Sequence, residues 1–185
     1  MKDNQFDTFS VPLWGFILSD QHYQSLDYVE YLEENIFKCE SSQKKSNSGG
    51  YQSRDTLNED GIFKELVKAL NNISNNILKE YTGNDVKQVC VTELWANINL
   101  KNNFNWAHTH SGILSGVFYL ETPDNCGNLV FCNPATRSDG HLIRAKNYHV
   151  KPQRLACIMF PSWLEHYVEP NLSDDRRMSL SFNIG

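Results

Sequence analysis

Three histidines in the second half of the sequence have the residue type and spacing of a possible metal site. His108 and His110 are two positions apart in the stretch NWAHTHSG, with Thr109 between them, and His166 follows much later in the chain. Side chains two residues apart in an extended strand lie on the same face, with Cα atoms about 6–7 Å apart. Histidine is the commonest metal ligand, so two such rings could share one ion. An HxH pair alone is a weak signal, because neighbouring surface histidines are often incidental.

The last strand-like stretch, RMSLSFNIG, alternates polar and apolar side chains. One face would carry Arg177, Ser179, Ser181 and Asn183, and the other Met178, Leu180 and Phe182. The apolar face is typical of core, whereas a buried polar face needs hydrogen-bond partners. An arginine fork beside a serine hydroxyl is a good carboxylate receptor. Arg177 and Ser179 are therefore candidates for anion binding, and a structural salt bridge of Arg177 is the alternative.

From about residue 86 onward, the sequence predicts short strands separated by Gly, Pro and Asn. The strand-like stretches are VKQVCVTELWANINL, ILSGVFYLET, NLVFCNP, YHVKPQ, LACIMFPSW and RMSLSFNIG. Short strands in regular succession are typical of a sandwich or barrel. These strands would have to carry the histidines and Arg177 to a common site.

The first 85 residues predict helices and one strand. Residues 9–18 are apolar and β-prone, and Pro12 in this stretch suggests a strand at a sheet edge. The next segment predicts a helix. Its apolar face would be formed by Leu26, Val29, Leu32 and Ile36. A second amphipathic helix is predicted over residues 62–81.

A polar Ser/Gly-rich loop, residues 41–55, separates the two predicted helices and is the expected lid. We expect a single domain, residues 1–185, in which residues 1–85 form a helical buttress and the lid loop and residues 86–185 form the β core. Helices followed by an antiparallel sheet give an α+β fold. A double-stranded β-helix (jelly roll or cupin-like) buttressed by N-terminal helices fits this order best.

Bulk properties narrow the expected partners and location. The 185-residue chain has a formal net charge of -5 and no long basic run, which argues against a nucleic-acid partner. It has no apolar run near 18 residues and no apolar signal core at its start, so we expect a cytoplasmic protein without a membrane span. Its five cysteines are scattered without a CxxC pair, which favours reduced thiols.

Taken together, these stretches resemble a known enzyme superfamily, the iron(II)/2-oxoglutarate oxygenases. The sequence looks closest to the small "putative 2OG-Fe(II) oxygenase" family of bacteria and phages, with prolyl-hydroxylase-like relatives. The matching stretches are HTHSGILSGVFYLETP, GNLVFCNP, IMFPSWLEHYVEPN, DDRRMSLSFNI and, less specifically, SNSGGYQS. The resemblance covers residues 45–185, most strongly residues 95–185.

The resemblance implies an Fe(II)-dependent dioxygenase that uses 2-oxoglutarate as co-substrate and O2 as oxidant. It would hydroxylate an unidentified substrate and release succinate and CO2. His108 and His166 would be iron ligands, with His110 as the third metal-binding and catalytic candidate. The carboxylate expected at the third position is replaced by His110. A carboxylate from elsewhere, such as Asp124 or Glu165, is the alternative ligand.

The resemblance also implies how the co-substrate would be held. Arg177 would pair with the C5 carboxylate of 2-oxoglutarate, with Ser179 assisting and the Tyr119 hydroxyl touching the same group. Arg176 is the rival anchor, and Arg177 is preferred because it shares a face with Ser179. A further expected contact to co-substrate or substrate comes from Asn97 or Asn99, on the strand before the histidine pair.

Two other functions remain open at this point. One is a three-His cupin-like dioxygenase that does not use 2-oxoglutarate, in which Arg177 would hold the substrate's carboxylate. The other is a non-catalytic binding module on the same fold. The sequence does not identify the substrate, which could be a small molecule or a protein residue. The strand at residues 9–18 could also serve as the edge of a homodimer.

Overall fold

A computed structural model describes residues 10–18, 25–82, 87–134 and 146–185 of the chain. Its helices are α1 (Ser25–Tyr31), which continues as a π-helical segment (Leu32–Phe37), and α2 (Lys64–Thr82). Two short 3-10 turns, Leu57–Glu59 and Gly61–Phe63, lead into α2. In the described ranges, no helix combines the length and apolarity that crossing a bilayer requires.

Two antiparallel sheets face each other. The first has the order β1-β9-β6-β11-β4-β3, with β1 (Trp14–Ile17), β3 (Tyr51–Gln52), β4 (Val91–Asn99), β6 (Leu114–Glu121), β9 (Ala156–Pro161) and β11 (Arg177–Ile184). The second has the order β2-β5-β10-β7-β8, with β2 (Asn47–Ser48), β5 (Phe104–His108), β7 (Leu129–Phe131), β8 (Tyr148–Val150) and β10 (His166–Val168). Strands adjacent in space are mostly distant in sequence, as a double-stranded β-helix requires. The predicted α+β fold is confirmed.

The first sheet separates two apolar clusters because its side chains alternate between faces. Its outer face packs against the helices through Leu94, Phe118, Leu180 and Phe182, together with Leu32, Phe63, Leu66 and Leu70. Its inner face contributes Val117 and Tyr119 to a smaller cluster with Phe131, Phe160 and Leu164, between the sheets. The polar side chains of β11 lie on this inner face, as the alternation in the sequence predicts.

Two details differ from the sequence-based expectations. Leu26 is 70% exposed, and Ser25 and Tyr28 are the buried residues of α1. The predicted apolar face was therefore wrong at Leu26, because at 3.6 residues per turn Leu26 lies about 100° around the helix from Ser25, outside the face that Ser25, Tyr28, Leu32 and Ile36 bury. The Ser/Gly-rich loop is also more ordered than expected, since it contains β2 and β3.

The predicted lid loop connects the two sheets. Its strand β2 pairs with β5 of the second sheet, and its strand β3 pairs with β4 of the first. Gly49 and Gly50 between them have φ values of 72° and 67°, a conformation that glycine adopts without strain. The loop therefore covers one end of the space between the sheets. The expected edge position of the N-terminal strand is also seen, since β1 is the last strand of the first sheet.

Candidate active site

Strand pairing brings His108 and His166 together. His108 is the last residue of β5, His166 is the first residue of β10, and the two are directly opposite in the antiparallel register. His110 lies two residues beyond the end of β5, so the pair is not wholly within a strand as expected. Its backbone N–H donates to the carbonyl of Ser162 at 3.0 Å. Gly112, with φ of 98°, then turns the chain into β6.

The three imidazoles form one cluster. A nitrogen atom of each ring lies within 4.8 Å of a nitrogen atom of both others. The ring centroids are 4.8 Å apart for His108 and His110, 4.5 Å for His108 and His166, and 5.1 Å for His110 and His166. Three converging nitrogen donors at this separation can close around a single divalent transition-metal ion.

Backbone hydrogen bonds select the nitrogen that faces the centre of the cluster. The Nδ1–H group of His108 donates to the carbonyl of Trp106 at 2.6 Å, and that of His166 donates to the carbonyl of Leu164 at 2.9 Å. A ring that donates through Nδ1 keeps the lone pair on Nε2 for a metal. These carbonyls therefore orient two of the three rings as metal ligands.

The electrostatic surroundings keep the rings neutral, which is the ligating form. Burial lowers the pKa of His166 to about 3, with a further contribution from His108. Burial and the neighbouring His108 lower the pKa of His110 to about 4. The pKa of His108 is also lowered, mainly by burial. All three side chains are therefore uncharged at neutral pH.

No carboxylate joins the histidine cluster within the described residues. Asp124, one of the two alternatives, lies at the surface, where its Oδ1 is 3.7 Å from Nζ of Lys151. The other, Glu165, is exposed and stands outside the group of converging donors. The third donor nearest to His108 and His166 is the imidazole of His110.

The histidines open into a cavity of about 550 Å³ between the sheets. The inner face of β4 and β11 forms one wall, with Asn97 and Asn99 from β4 and Arg177 and Ser179 from β11. Phe160, from β9 of the same sheet, packs against the ring of His166 on the second sheet, with centroids 4.6 Å apart. A cavity of this size is typical of small-molecule sites.

Arg177 places a buried cation in this cavity. It is 3% exposed, and its Nε and Nη1 atoms have no hydrogen-bond partner among the described residues. Its guanidinium carbon lies 5.3 Å from the centre of the Tyr119 ring, whose buried hydroxyl also has no partner in the described part of the chain. Burial raises the pKa of Tyr119, and the charge of Arg177 opposes that rise. Buried polar groups left unpaired cost free energy, so this arrangement favours an anionic ligand.

The rival arginine is paired elsewhere. Arg176 Nε donates to Glu121 Oε2 at 2.5 Å, and its Nη2 lies 2.5 Å from Glu33 Oε1. These carboxylates, with the first contributing most, raise the pKa of Arg176 above its ordinary range. Because successive residues of a strand point to opposite faces, Arg176 lies away from the cavity that Arg177 enters.

Ser179 and the asparagines surround the arginine. Ser179 is paired in register with Asn97 on β4 and with Tyr119 on β6, and its side chain lines the cavity. Asn97 Nδ2 donates to Ser181 Oγ at 3.1 Å, and Asn99 Nδ2 donates to Asn105 Oδ1 at 3.3 Å. The structure thus brings the three histidines, Arg177, Ser179, Asn97 and Asn99 to one cavity, and Tyr119 lies behind Arg177 as a fully buried residue.

Sequence reasoning missed several polar residues of this cavity, among them Ser46, Asp55 and Glu93. Ser46, in the lid loop, has its hydroxyl 3.4 Å from Nε2 of His108. Asp55 and Glu93 also line the cavity. No local pattern marks these residues, since Ser46 reaches the site through β2–β5 pairing and Asp55 through its backbone contact with Leu94.

Comparisons with known proteins agree with this geometry. Residues 93–183 match the family model described as "Putative 2OG-Fe(II) oxygenase". The matched segment contains the three histidines, Arg177, Ser179, Tyr119 and Asn97. A search of curated proteins found no match.

Solved structures share the fold at low sequence identity. A prolyl-4-hydroxylase from Pseudomonas putida has a TM-score of 0.65 and 14% identity, and the match covers 94% of this chain and 93% of that one. HygX from Streptomyces hygroscopicus, with nickel, 2-oxoglutarate and hygromycin B bound, has a TM-score of 0.67 and 10% identity. That match covers 95% of this chain and 83% of HygX. A prolyl hydroxylase from Trichoplax adhaerens in complex with a peptide fragment has a TM-score of 0.66 and 12% identity. That match covers 92% of this chain and 81% of the hydroxylase.

Proposed function

The chain belongs, through residues 93–183, to the putative 2OG-Fe(II) oxygenase family, and from that premise we propose that its histidine cluster and Arg177 form the iron and 2-oxoglutarate sites of a hydroxylase. The single observation that carries the assignment is the buried guanidinium of Arg177, whose Nε and Nη1 have no partner among the described residues, in the same cavity as the three imidazoles. A cation without a partner at that depth is costly unless an anion is bound during function.

The donor set fits iron. His108, His110 and His166 would hold the ion through three neutral nitrogens, in place of the two histidines and one carboxylate usual for this class of site. The imidazole ligands leave the metal one unit more positive than a triad with a carboxylate would, which favours binding of the dianionic co-substrate. The carbonyls of Trp106 and Leu164 would fix the ligand tautomers.

The opposite end of the cavity wall fits the far carboxylate of 2-oxoglutarate. Arg177 would donate its Nε and Nη1 protons to that carboxylate, and the Tyr119 hydroxyl would donate a further hydrogen bond. Ser179 would assist from the same face of β11, and Asn97 from the neighbouring strand. When bound, Fe(II) with 2-oxoglutarate and O2 supplies the oxidation of a substrate C–H bond, with release of succinate and CO2.

The protein's own contribution is to position these groups and to exclude water. Phe131 and Phe160 pack against His166, with ring centroids at 6.0 and 4.6 Å. The lid loop places Ser46 beside His108 and covers the same cavity. A dry, pre-shaped site strengthens the interaction of Arg177 with a carboxylate and protects reactive species from solvent.

Anaerobic titration of the Fe(II)-loaded protein with 2-oxoglutarate tests the proposal. A visible charge-transfer band should appear, and Arg177→Met, which keeps an apolar stem in the buried position, should weaken 2-oxoglutarate binding by about 100-fold or more. Arg176→Met is the matched control and should bind 2-oxoglutarate like the wild type. Circular dichroism and iron content identify any variant that has failed to fold.

Two results would contradict the assignment. Iron binding without a band or measurable affinity for 2-oxoglutarate would point to the three-His dioxygenase that acts directly on its substrate. Negligible iron binding would point to a non-catalytic module. The substrate is a small molecule or a protein residue, and consumption of 2-oxoglutarate with formation of succinate can be used to screen for it.

A further inference from the structure

The cavity has opposite charges at its two ends. On its β4–β11 wall, Arg177 is paired in register with Asn99 at one end, and Asn183 is paired with Glu93 at the other. Six residue-to-residue steps of extended strand separate these pairs, a span of about 20 Å. The histidine cluster lies between them, since the ring of His110 is 5.6 Å from that of Trp95, the residue two positions from Glu93. The proposed co-substrate occupies only the arginine end.

The acidic end consists of Glu93 and Asp55. Both residues are partly buried and line the cavity. The backbone N–H of Leu94, the residue after Glu93, donates to the backbone carbonyl of Asp55 at 2.9 Å, which places Asp55 next to this part of β4. Within the described residues no Lys, Arg or His side chain makes an ion pair with either carboxylate. The neighbouring Arg54 is paired with Glu40 and Asp60 instead.

Neither carboxylate has a cationic partner in the part of the chain that the structure describes. The Glu93 side chain accepts a hydrogen bond from the neutral amide of Asn183, and no described donor contacts the Asp55 side chain. Lys45, the other lysine or arginine lining the cavity, is exposed and makes no ion pair among the described residues. Carboxylates that line a cavity without a cationic partner favour a bound cation.

Trp95 gives a second, independent indication of a ligand. It is 8% exposed and lines the cavity on the same face of β4 as Glu93, and its indole N–H donates to no acceptor in the described part of the chain. An indole N–H that opens to a cavity without a protein acceptor is available to a ligand there. Its ring face is also the best side-chain surface for an organic cation. The indole thus lies between the acidic pair and His110.

We propose that Glu93, Asp55 and Trp95 form the substrate subsite and that the substrate carries a positively charged nitrogen, a primary ammonium or guanidinium group on an otherwise uncharged carbon chain. This inference rests on the proposed oxygenase function, because it takes the arginine end as the co-substrate site. The carbon to be oxidised lies a few bonds from the cationic nitrogen, since Glu93 is one same-face step, about 7 Å, from Trp95 beside the histidines.

Ligand-observed NMR on protein loaded with Zn(II) and saturating 2-oxoglutarate tests the subsite without turnover. The probes are pentylammonium, 1-pentanol and pentanoate, which have chains of similar length and differ in charge. Pentylammonium should bind about tenfold more tightly than either of the others. Saturating 2-oxoglutarate keeps pentanoate away from Arg177.

Two conservative variants separate charge recognition from a structural role. Glu93→Gln retains an acceptor for the Asn183 amide, and Asp55→Asn retains the backbone bond to Leu94, so both should fold. Each should weaken pentylammonium binding by about tenfold without altering the affinity for 2-oxoglutarate. Glu80→Gln and Asp124→Asn are matched controls at exposed positions, and neither should change binding.

The outcomes distinguish this inference from the function on which it rests. If pentylammonium shows no preference, or if it binds equally to Glu93→Gln, Asp55→Asn and the controls, the cationic subsite is wrong, while normal binding of Zn(II) and 2-oxoglutarate leaves the oxygenase assignment intact. If the protein fails to bind 2-oxoglutarate but still prefers pentylammonium in a Glu93-dependent way, the proposed function is wrong and the cation site stands.

Discussion

His108 and His166 are directly opposite each other in the antiparallel pairing of β5 and β10, with ring centroids 4.5 Å apart. Each donates its Nδ1–H to a backbone carbonyl two residues earlier in the chain. The register of two strands and two local hydrogen bonds therefore define most of a metal site. His110 completes it from the turn that follows β5.

Removing His166 should abolish stoichiometric metal binding. His166→Ala deletes a ligand that is buried and oriented, and the remaining two rings cannot enclose an ion equally well. Metal content after reconstitution with Fe(II) or Mn(II), measured by atomic emission, should fall from one ion per chain to a small residue. His149→Ala is the matched control, because that exposed ring pairs with Glu169 at 3.2 Å outside the cavity. Full metal content in the His166 variant would refute the assigned ligand set.

Replacing His110 should reveal whether it touches the metal. His110→Ala should lower metal affinity by at least about tenfold, the loss expected even for residues that only support a ligand. His110→Asp should retain binding, because it restores the common carboxylate at the same position. Competition with a chelator measures the metal affinity of both variants. An alanine variant that binds metal as tightly as the wild type would show that His110 only lines the pocket.

The Tyr119 hydroxyl should lower the free energy of unfolding of the ligand-free protein and strengthen the binding of 2-oxoglutarate. Tyr119→Phe removes a buried hydroxyl without a hydrogen-bond partner, so the free energy of unfolding of the ligand-free protein should stay constant or rise by about 1 kcal/mol. Affinity for 2-oxoglutarate should fall several-fold, since one donor to the carboxylate is lost. Urea unfolding and calorimetry measure the two effects. A loss of stability with unchanged affinity would indicate that the hydroxyl has a structural role.

The buried histidines should make the metal-free protein sensitive to acid. The pKa of His166 is about 3 in the folded protein, whereas that of an unfolded-chain histidine is about 6.5. Below pH 6.5 the unfolded chain therefore binds a proton that the folded protein excludes, so stability is complete above about pH 6.5 and falls as the pH drops toward the folded pKa.

The expected loss is about 1.4 kcal/mol per pH unit for His166 within that window. Urea unfolding between pH 7 and pH 5 measures it, and His166→Asn, which cannot take up the proton, should give a shallower dependence. Equal slopes in the wild type and the His166 variant would exclude burial of His166 as the cause.

Much of the fold could be predicted because its signals are local. The alternation in RMSLSFNIG placed Met178, Leu180 and Phe182 in the core, and they are fully buried. The edge position suggested by Pro12 was confirmed for β1. The buried face of α1 was wrong at Leu26, because the face is centred on Ser25, Tyr28 and Leu32, and the polar Ser25 gave no apolar signal that would have marked it. The short strands of the lid loop were missed because each depends on a partner distant in sequence.

The sequence by itself determined the chemistry that this protein can offer, namely three histidines, a polar face on the last strand and an arginine on that face. These features follow from the two-residue period of a strand, which is a local property of the chain. Only the tertiary structure decided that Arg177 and not Arg176 enters the cavity unpaired, that His110 joins the other two rings without a carboxylate, and that Asp55 and Glu93 stand together beyond them. Those relationships depend on strand register and on the pairing of distant segments, which local sequence does not encode.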